Sequence, residues 1–161
     1  MRTIAPLALS AAMLALAPAA MAATTTTGQF NVNITLTPKC EIFNGSGATG
    51  AIGDLAMNYT SFQTTASVGS TNFKVRCTNT LAYGLSLDSA TVTDGTTGLN
   101  YTLALSNNAT PISTAVASLS SLSGNGNPGQ TYYVHGNIAA NQDGSSTSGT
   151  ANNLRTLTIT Y

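Results

Sequence analysis

Apolar and polar residues alternate with a period of two in a short segment near the start of the chain, from Phe30 to Leu36. Successive side chains of a β-strand point to opposite faces, so this pattern predicts a strand with one apolar face. The apolar face comprises Gly28, Phe30, Val32, Ile34 and Leu36. A strand of this kind can pair with the sheet of its own domain or with the sheet of another molecule.

The same period of two recurs along the rest of the chain, whereas helical periodicity is almost absent after residue 22. Each alternating run predicts a half-buried strand. The apolar positions of these runs are Leu55, Met57 and Tyr59; Phe73, Val75 and Cys77; Tyr83, Leu85 and Leu87; Leu99, Tyr101, Leu103 and Leu105; Tyr132, Val134, Gly136 and Ile138; and Leu157, Ile159 and Tyr161.

Clusters of Gly, Asn, Asp and Ser separate many of the runs, at residues 44–50, 94–95, 124–129 and 143–149. These residue types favour turns. Short alternating strands separated by turns predict an all-β antiparallel sandwich or barrel. Residues 114–123 are ambiguous, because their Ala, Leu and Ser content also permits a helical turn.

Residues 1–22 have the three parts of a secretory signal peptide. Arg2 supplies a positive start, residues 5–17 are apolar without an acidic residue, and Ala20-Met21-Ala22 has the small-x-small form of a cleavage site. An uncleaved membrane anchor is the competing interpretation. The apolar run is short for a membrane span, and Pro18 interrupts it. We therefore expect export.

Charged residues are few, with five Lys and Arg against five Asp and Glu. They form no basic patch, so binding to nucleic acid or to anionic lipid has no electrostatic support. We expect no nucleic-acid partner. Low charge also means little repulsion between copies, which is compatible with self-association.

Cys40 and Cys77 are the two cysteines of the chain. In an exported protein an even number of cysteines suggests a disulfide, and here one bond would stabilise the domain by about 4 kcal/mol in the chain-entropy model. Two cysteines without clustered histidines do not form a zinc site.

Two features resemble those of enzymes, and neither is convincing. Residues 45–50 match the GxGxxG pattern of dinucleotide-binding loops, but no amphipathic helix follows, so we interpret them as a flexible turn. His135 lies in the middle of a predicted strand without a GxSxG elbow elsewhere, so we interpret it as a solvent-facing residue. The acidic residues are scattered singly. We expect no catalytic activity, no cofactor and no metal site.

The chain ends on a predicted strand with Leu157, Ile159 and Tyr161 on one face. If this is the last strand of an immunoglobulin-like sandwich, no strand of the domain pairs with its other edge. An unpaired edge over an apolar groove costs stability and invites aggregation. The alternating N-terminal segment of another copy can pair with it by β-strand addition, and such head-to-tail contacts give open fibres.

In these features the chain resembles the spore coat protein U domain family, which includes the subunits (pilins) of archaic chaperone–usher pili. The resemblance covers most of the chain after residue 22 and rests on the order and spacing of several segments. These segments are Thr27 to Ile34 followed by Cys40, Val75-Arg76-Cys77, Tyr133 to Asn141, and Leu154 to Tyr161.

The resemblance implies a signal peptide at 1–22, an N-terminal donor strand at 23–37 and an incomplete immunoglobulin-like domain at 38–161 that lacks its seventh strand. A periplasmic chaperone lends a strand during export through the periplasm. At the outer-membrane usher, the N-terminal strand of a neighbouring copy or related pilin replaces it. The resulting pilus on the cell surface supports attachment and biofilm formation.

The resemblance also implies roles for particular residues. Cys40 and Cys77 tie the first strand to the second, and the carboxylate of Tyr161 anchors to basic groups of the chaperone. The donor face consists of Gly28, Phe30, Val32, Ile34 and Leu36. The acceptor groove and chaperone contact include Leu157, Ile159 and Tyr161.

The alternative is a monomeric secreted β-sandwich that binds a ligand such as a surface glycan. In that case the N-terminal strand belongs to its own sheet. Exposed aromatic side chains around Tyr101, Tyr132 and Tyr133 would form the binding surface, although strand core accounts for at least half of these tyrosines. A stable monomer after deletion of residues 23–37 would favour this interpretation.

Overall fold

The computed structural model describes residues 24–43, 50, 52–146 and 149–161. The chain divides into two units, residues 1–35 and 36–161. Residues 24–35, the described part of the first unit, form no helix or strand and are exposed. The predicted signal peptide, 1–22, lies outside the described residues, as do positions 45–49 of the GxGxxG pattern.

The second unit is an antiparallel β-sandwich, consistent with an immunoglobulin-like fold, and its described part contains no helix. One sheet has the order β1-β2-β7-β5-β4 and the other the order β6-β3-β8. Nothing in the described part of the chain forms a helix capable of crossing a membrane. The strands are β1 (Cys40–Phe43), β2 (Ser67–Cys77), β3 (Ala82–Leu87), β4 (Thr91–Thr93), β5 (Asn100–Ser106), β6 (Ser118–Ser123), β7 (Gln130–Ile138) and β8 (Leu157–Thr160).

The core lies between the inner faces of the two sheets, where the period of two places the apolar side chains. Tyr83 of β3 meets Tyr132 of β7 edge to face, with ring centroids 6.5 Å apart. Their hydroxyl oxygens are 2.7 Å apart, and the hydroxyl of Tyr83 donates to Oε1 of Gln130 at 2.5 Å. Burial raises the pKa of the Tyr83 hydroxyl, and the hydrogen bond to Tyr132 raises it further. The other buried apolar residues include Phe73, Val75, Cys77, Leu85, Leu103, Leu105, Val134 and Ile138.

The disulfide predicted from the sequence is confirmed. Cys40 and Cys77 are bonded and are direct partners in the β1–β2 ladder. The bond therefore fixes the first residue of β1 to the last residue of β2.

Most strand predictions are confirmed, and the ambiguous segment 114–123 is resolved. Its second half forms β6 instead of a helical turn. The predicted strand at Leu55 to Tyr59 is wrong, because residues 52–60 belong to no ladder. The turn predictions at 94–95 and 124–129 are confirmed, since these residues connect β4 to β5 and β6 to β7.

Candidate functional site

The strand β8 has one partner and one open edge. It pairs with β3, and within the described residues no strand is hydrogen-bonded to its other edge. In the register, Leu85 faces Ile159 and Leu87 faces Leu157. The strand that borders the open edge therefore carries Leu157 and Ile159, whose side chains point into the sandwich.

Hydrogen bonds at one end of the ladder show which backbone groups face the open edge. The amide of Asp88 donates to the carbonyl oxygen of Thr156 at 3.0 Å, so Thr156 turns its backbone groups toward β3. In an antiparallel ladder such pairs alternate with pairs that bond outward. The N–H and C=O groups of Leu157 and Ile159 therefore point to the open edge, where the described chain supplies no partner.

The side chains of the same two residues leave part of the core uncovered. Leu157 and Ile159 pack against the core cluster but stay half-buried, whereas Leu85 beside them is 1% exposed. Tyr161, the third residue predicted for the groove, follows the end of β8 and is 59% exposed. The edge of β8 thus combines unpaired backbone groups with accessible apolar surface, which is what an added strand requires.

The predicted donor face is presented to solvent. Its large side chains are 86% exposed for Phe30, 68% for Val32, 86% for Ile34 and 73% for Leu36. Nothing lies within 4 Å of the position that a Cβ of Gly28 would take. Four large apolar side chains at alternate positions are more than the scattered exposed residues that a surface ordinarily carries.

A second extended segment lies on the inner face of the larger sheet, and the sequence interpretation did not assign it a role. Leu55 and Met57 pack over Gly69 of β2 and Gly136 of β7, which are direct ladder partners. Tyr132, which meets Tyr83 of β3, and Phe73, which stacks on Tyr132, lie on this same inner face, so the segment shares a layer with the smaller sheet. Glycine inside a strand pattern indicates a close approach, and this signal was present at Gly69 and Gly136.

An ion cluster lies where β1 begins. Nζ of Lys39 is 3.0 Å from Oε2 of Glu41, and Nε of Arg76 donates to Oε1 of Glu41 at 2.6 Å. The hydrogen bonds from Lys39 and Arg76 lower the pKa of the Glu41 carboxyl. The cluster holds one negative and two positive charges, so it does not present a single-sign surface to a ligand.

The interpretation of His135 as solvent-facing is wrong. The residue is 0% exposed, its Nε2–H donates to the carbonyl oxygen of Asn108 at 2.9 Å, and its ring stacks on Tyr133. Burial arises because residues 107–117 fold back along β5, where Val116 forms a parallel bridge with Ala104. No three His, Cys, Asp or Glu side chains gather as metal ligands anywhere in the described ranges.

The exposed aromatic cluster that a glycan-binding surface would need does not form. Tyr101 is 8% and Tyr132 3% exposed, because both point into the core. Tyr133 lies on the opposite face of β7. Comparison with protein-family models and with curated proteins identifies no match to this chain.

Proposed function

We propose that this protein is a structural subunit of an archaic chaperone–usher type of pilus, in keeping with its resemblance to the spore coat protein U domain family. The N-terminal segment of one copy is donated to the open edge of β8 on the next. A periplasmic chaperone occupies that edge before assembly, an outer-membrane usher catalyses the exchange, and the fibre serves surface attachment and biofilm formation. The Cys40–Cys77 disulfide is compatible with export.

The observation that carries the proposal is the open edge of β8. Leu157 and Ile159 have backbone groups without partners in the described chain and side chains that remain half-buried. Donor-strand pairing supplies the missing hydrogen bonds and covers the uncovered apolar surface in one step. Because donor and acceptor are different surfaces of the molecule, repeated pairing gives an open fibre.

The donated segment matches this requirement. Full burial of an apolar side chain stabilises by about 1.5–3 kcal/mol, so the four large side chains contribute about 6–12 kcal/mol before the ordering costs of association. Their alternate spacing places all four on one face of a strand. The polar residues between them, Asn31, Asn33 and Thr35, then face solvent.

The proposal is tested by expressing the chain with its secretion apparatus and comparing unboiled with boiled surface material on a denaturing gel. The native chain gives a high-molecular-weight ladder that collapses to one subunit on boiling, because the exchanged strands are held without covalent bonds. Ile34→Arg places a charge in the groove and abolishes the ladder. Asn33→Arg is the matched control, since it adds the same charge on the opposite face and leaves the ladder intact.

Co-expression separates donation in trans from pairing within one chain. An Ile34→Arg subunit keeps its acceptor edge but cannot donate, so it begins fibres and cannot join a growing one. An excess of it gives more fibres with fewer native subunits in each, which shortens the ladder of the native chain. A native chain that runs as a monomer before and after boiling, from material shown to be exported and folded, contradicts the proposal. Such a monomer, stable also after deletion of residues 23–37, would instead support the closed secreted module.

A further inference from the structure

The segment from Ile52 to Asn58 is held in place without hydrogen bonds. It is extended, and its side chains alternate between half-buried and exposed from Leu55 onward. In the described part of the chain, neither its backbone nor its side chains make a hydrogen bond. A backbone that forms no ladder depends on its side chains for its position.

The position of the segment depends on two side chains in a hollow made by two glycines. A Cβ placed on Gly136 would lie 2.8 Å from Sδ of Met57 and 2.8 Å from Cδ2 of Leu55. A Cβ on Gly69 would lie 3.0 Å from Cγ of Met57 and would collide with the carbonyl oxygen of Ala56. The hollow exists because both ladder partners lack side chains.

Tyr59, which follows the segment directly, is held by hydrogen bonds. The hydroxyl of Tyr59 accepts a hydrogen bond of 2.8 Å from the backbone amide of Gln142. The side chain of Gln142 in turn bonds both backbone groups of Asn100 on β5. Release of Leu55 and Met57 would therefore free the middle of the segment while Tyr59 still holds its end.

Met57 is the chemically vulnerable member of this contact. The other three methionines stand at positions 1, 13 and 21, and both cysteines are already in the disulfide. Met57 as a residue is half-buried, so it lies near the surface, where a small oxidant has a short path to its side chain. The β7 strand is paired on both sides, so its amides lie in the plane of the sheet and offer no donor to a new oxygen atom in the hollow.

We propose that Met57 is a site of oxidation by peroxide, and that its oxidation releases residues 52–58 from the Gly69–Gly136 hollow. The sulfur lone pair attacks one oxygen of hydrogen peroxide, an S–O bond forms as the O–O bond breaks, and the remaining oxygen leaves as water with the transferred proton. Sulfur loses two electrons, peroxide gains them, and the product is the sulfoxide. A polar, chiral sulfoxide is less stable in a hollow lined by two glycines and Leu55 than in water.

Chymotrypsin measures the release, because it cleaves after Leu55 when that residue leaves the hollow. The full chain is treated with hydrogen peroxide, the oxidised residue is located by peptide mass mapping, and cleavage after Leu55 is timed. We expect oxidation at Met57 and cleavage about tenfold faster, as the loss of one apolar anchor implies. Cleavage after the exposed Phe30 provides the internal control and keeps its rate.

Two variants test whether the sulfur of Met57 is responsible for the faster cleavage. Met57→Leu conserves the volume, cleaves like the untreated native chain and does not respond to peroxide. Met57→Gln imitates the polarity of the sulfoxide and cleaves faster without peroxide. Methionine sulfoxide reductase returns the oxidised chain to the slow rate, which separates release from irreversible damage.

Either of two results overturns the proposal. In one, Met57 of the folded chain resists peroxide that oxidises the same residue in the unfolded chain. In the other, Met57 is fully oxidised while cleavage after Leu55 keeps its native rate. The measurement on the native chain decides even if Met57→Gln fails to fold, because the oxidation is carried out on folded protein.

Discussion

Replacing Gly69 by alanine tests how the segment from Ile52 to Asn58 is held on the larger sheet. The added Cβ would collide with the carbonyl oxygen of Ala56 and come within 3.2 Å of Cδ2 of Leu55. The carbonyl belongs to the backbone, so a change of side-chain rotamer does not relieve the collision. The segment itself must move away, and Leu55 and Met57 then lose their place in the hollow.

The size of the effect follows from the burial of those two side chains. Full burial is worth about 1.5–3 kcal/mol each, so two half-buried side chains contribute about 1.5–3 kcal/mol together. Gly69 has an ordinary strand conformation. Alanine at this position therefore offsets about 0.4–1 kcal/mol of the lost stability, because it restricts the unfolded chain. We expect Gly69→Ala to lower the free energy of unfolding by about 1–2 kcal/mol.

Urea unfolding in the Ile34→Arg background measures this change without a contribution from assembly, as a shift of the midpoint at constant slope. Gly136→Ala should cost less, because its Cβ meets the flexible ends of Leu55 and Met57. Gly95→Ala, with nothing within 4 Å of its Cβ, should have almost no effect. If Gly69→Ala is as stable as Gly95→Ala or more stable than the native chain, the segment does not occupy the hollow in solution.

Three further predictions concern stability. Replacing Cys40 and Cys77 together by serine should lower the free energy of unfolding by about 4 kcal/mol, measured by urea titration under non-reducing conditions; an unchanged midpoint would contradict it. Burial raises the pKa of Tyr83, so this hydroxyl stays neutral in the folded state at a pH at which it ionises in the unfolded state. The free energy of unfolding should therefore fall as the pH rises above 10.0. Tyr83→Phe should flatten that part of the melting-temperature profile. Hydrogen bonds, of which that from the Thr97 hydroxyl is the strongest, lower the pKa of Asp94. Its carboxylate should therefore stabilise the fold above pH 3.8, and this stability should be lost on further acidification. Asp94→Asn should remove this acid dependence, and an identical pH profile of the variant would refute the prediction.

The sequence predicted the strands that carry apolar residues at alternate positions, because a period of two reports which side chains face the core. It failed for His135, since a loop covers the second face of β7, and loop residues 107–117 carry no periodic signal. The three-residue strand Thr91–Thr93 is too short to show a period. Burial by a distant loop is a tertiary effect that no local pattern records.

The segment from Leu55 to Tyr59 shows the other limit. Its alternation correctly indicated which residues are half-buried and which are exposed, yet the residues form no ladder. A hydrophobic pattern reports the environment of side chains and carries no information on where backbone N–H and C=O groups are bonded. The closing strand illustrates the same point: the alternation placed Leu157 and Ile159 on one face, but only the register with β3 shows which edge is open.

The disulfide at the start of β1 also has a mechanical consequence. Tension applied to the chain ahead of Cys40 passes through a covalent bond directly into the end of β2, so the four-residue strand β1 does not have to bear it. β2 is paired with β7 from Ser67 to Val75, and a load along these strands must shear many hydrogen bonds at once instead of peeling them one at a time. A load that enters along β2 is therefore resisted by the whole β2–β7 ladder.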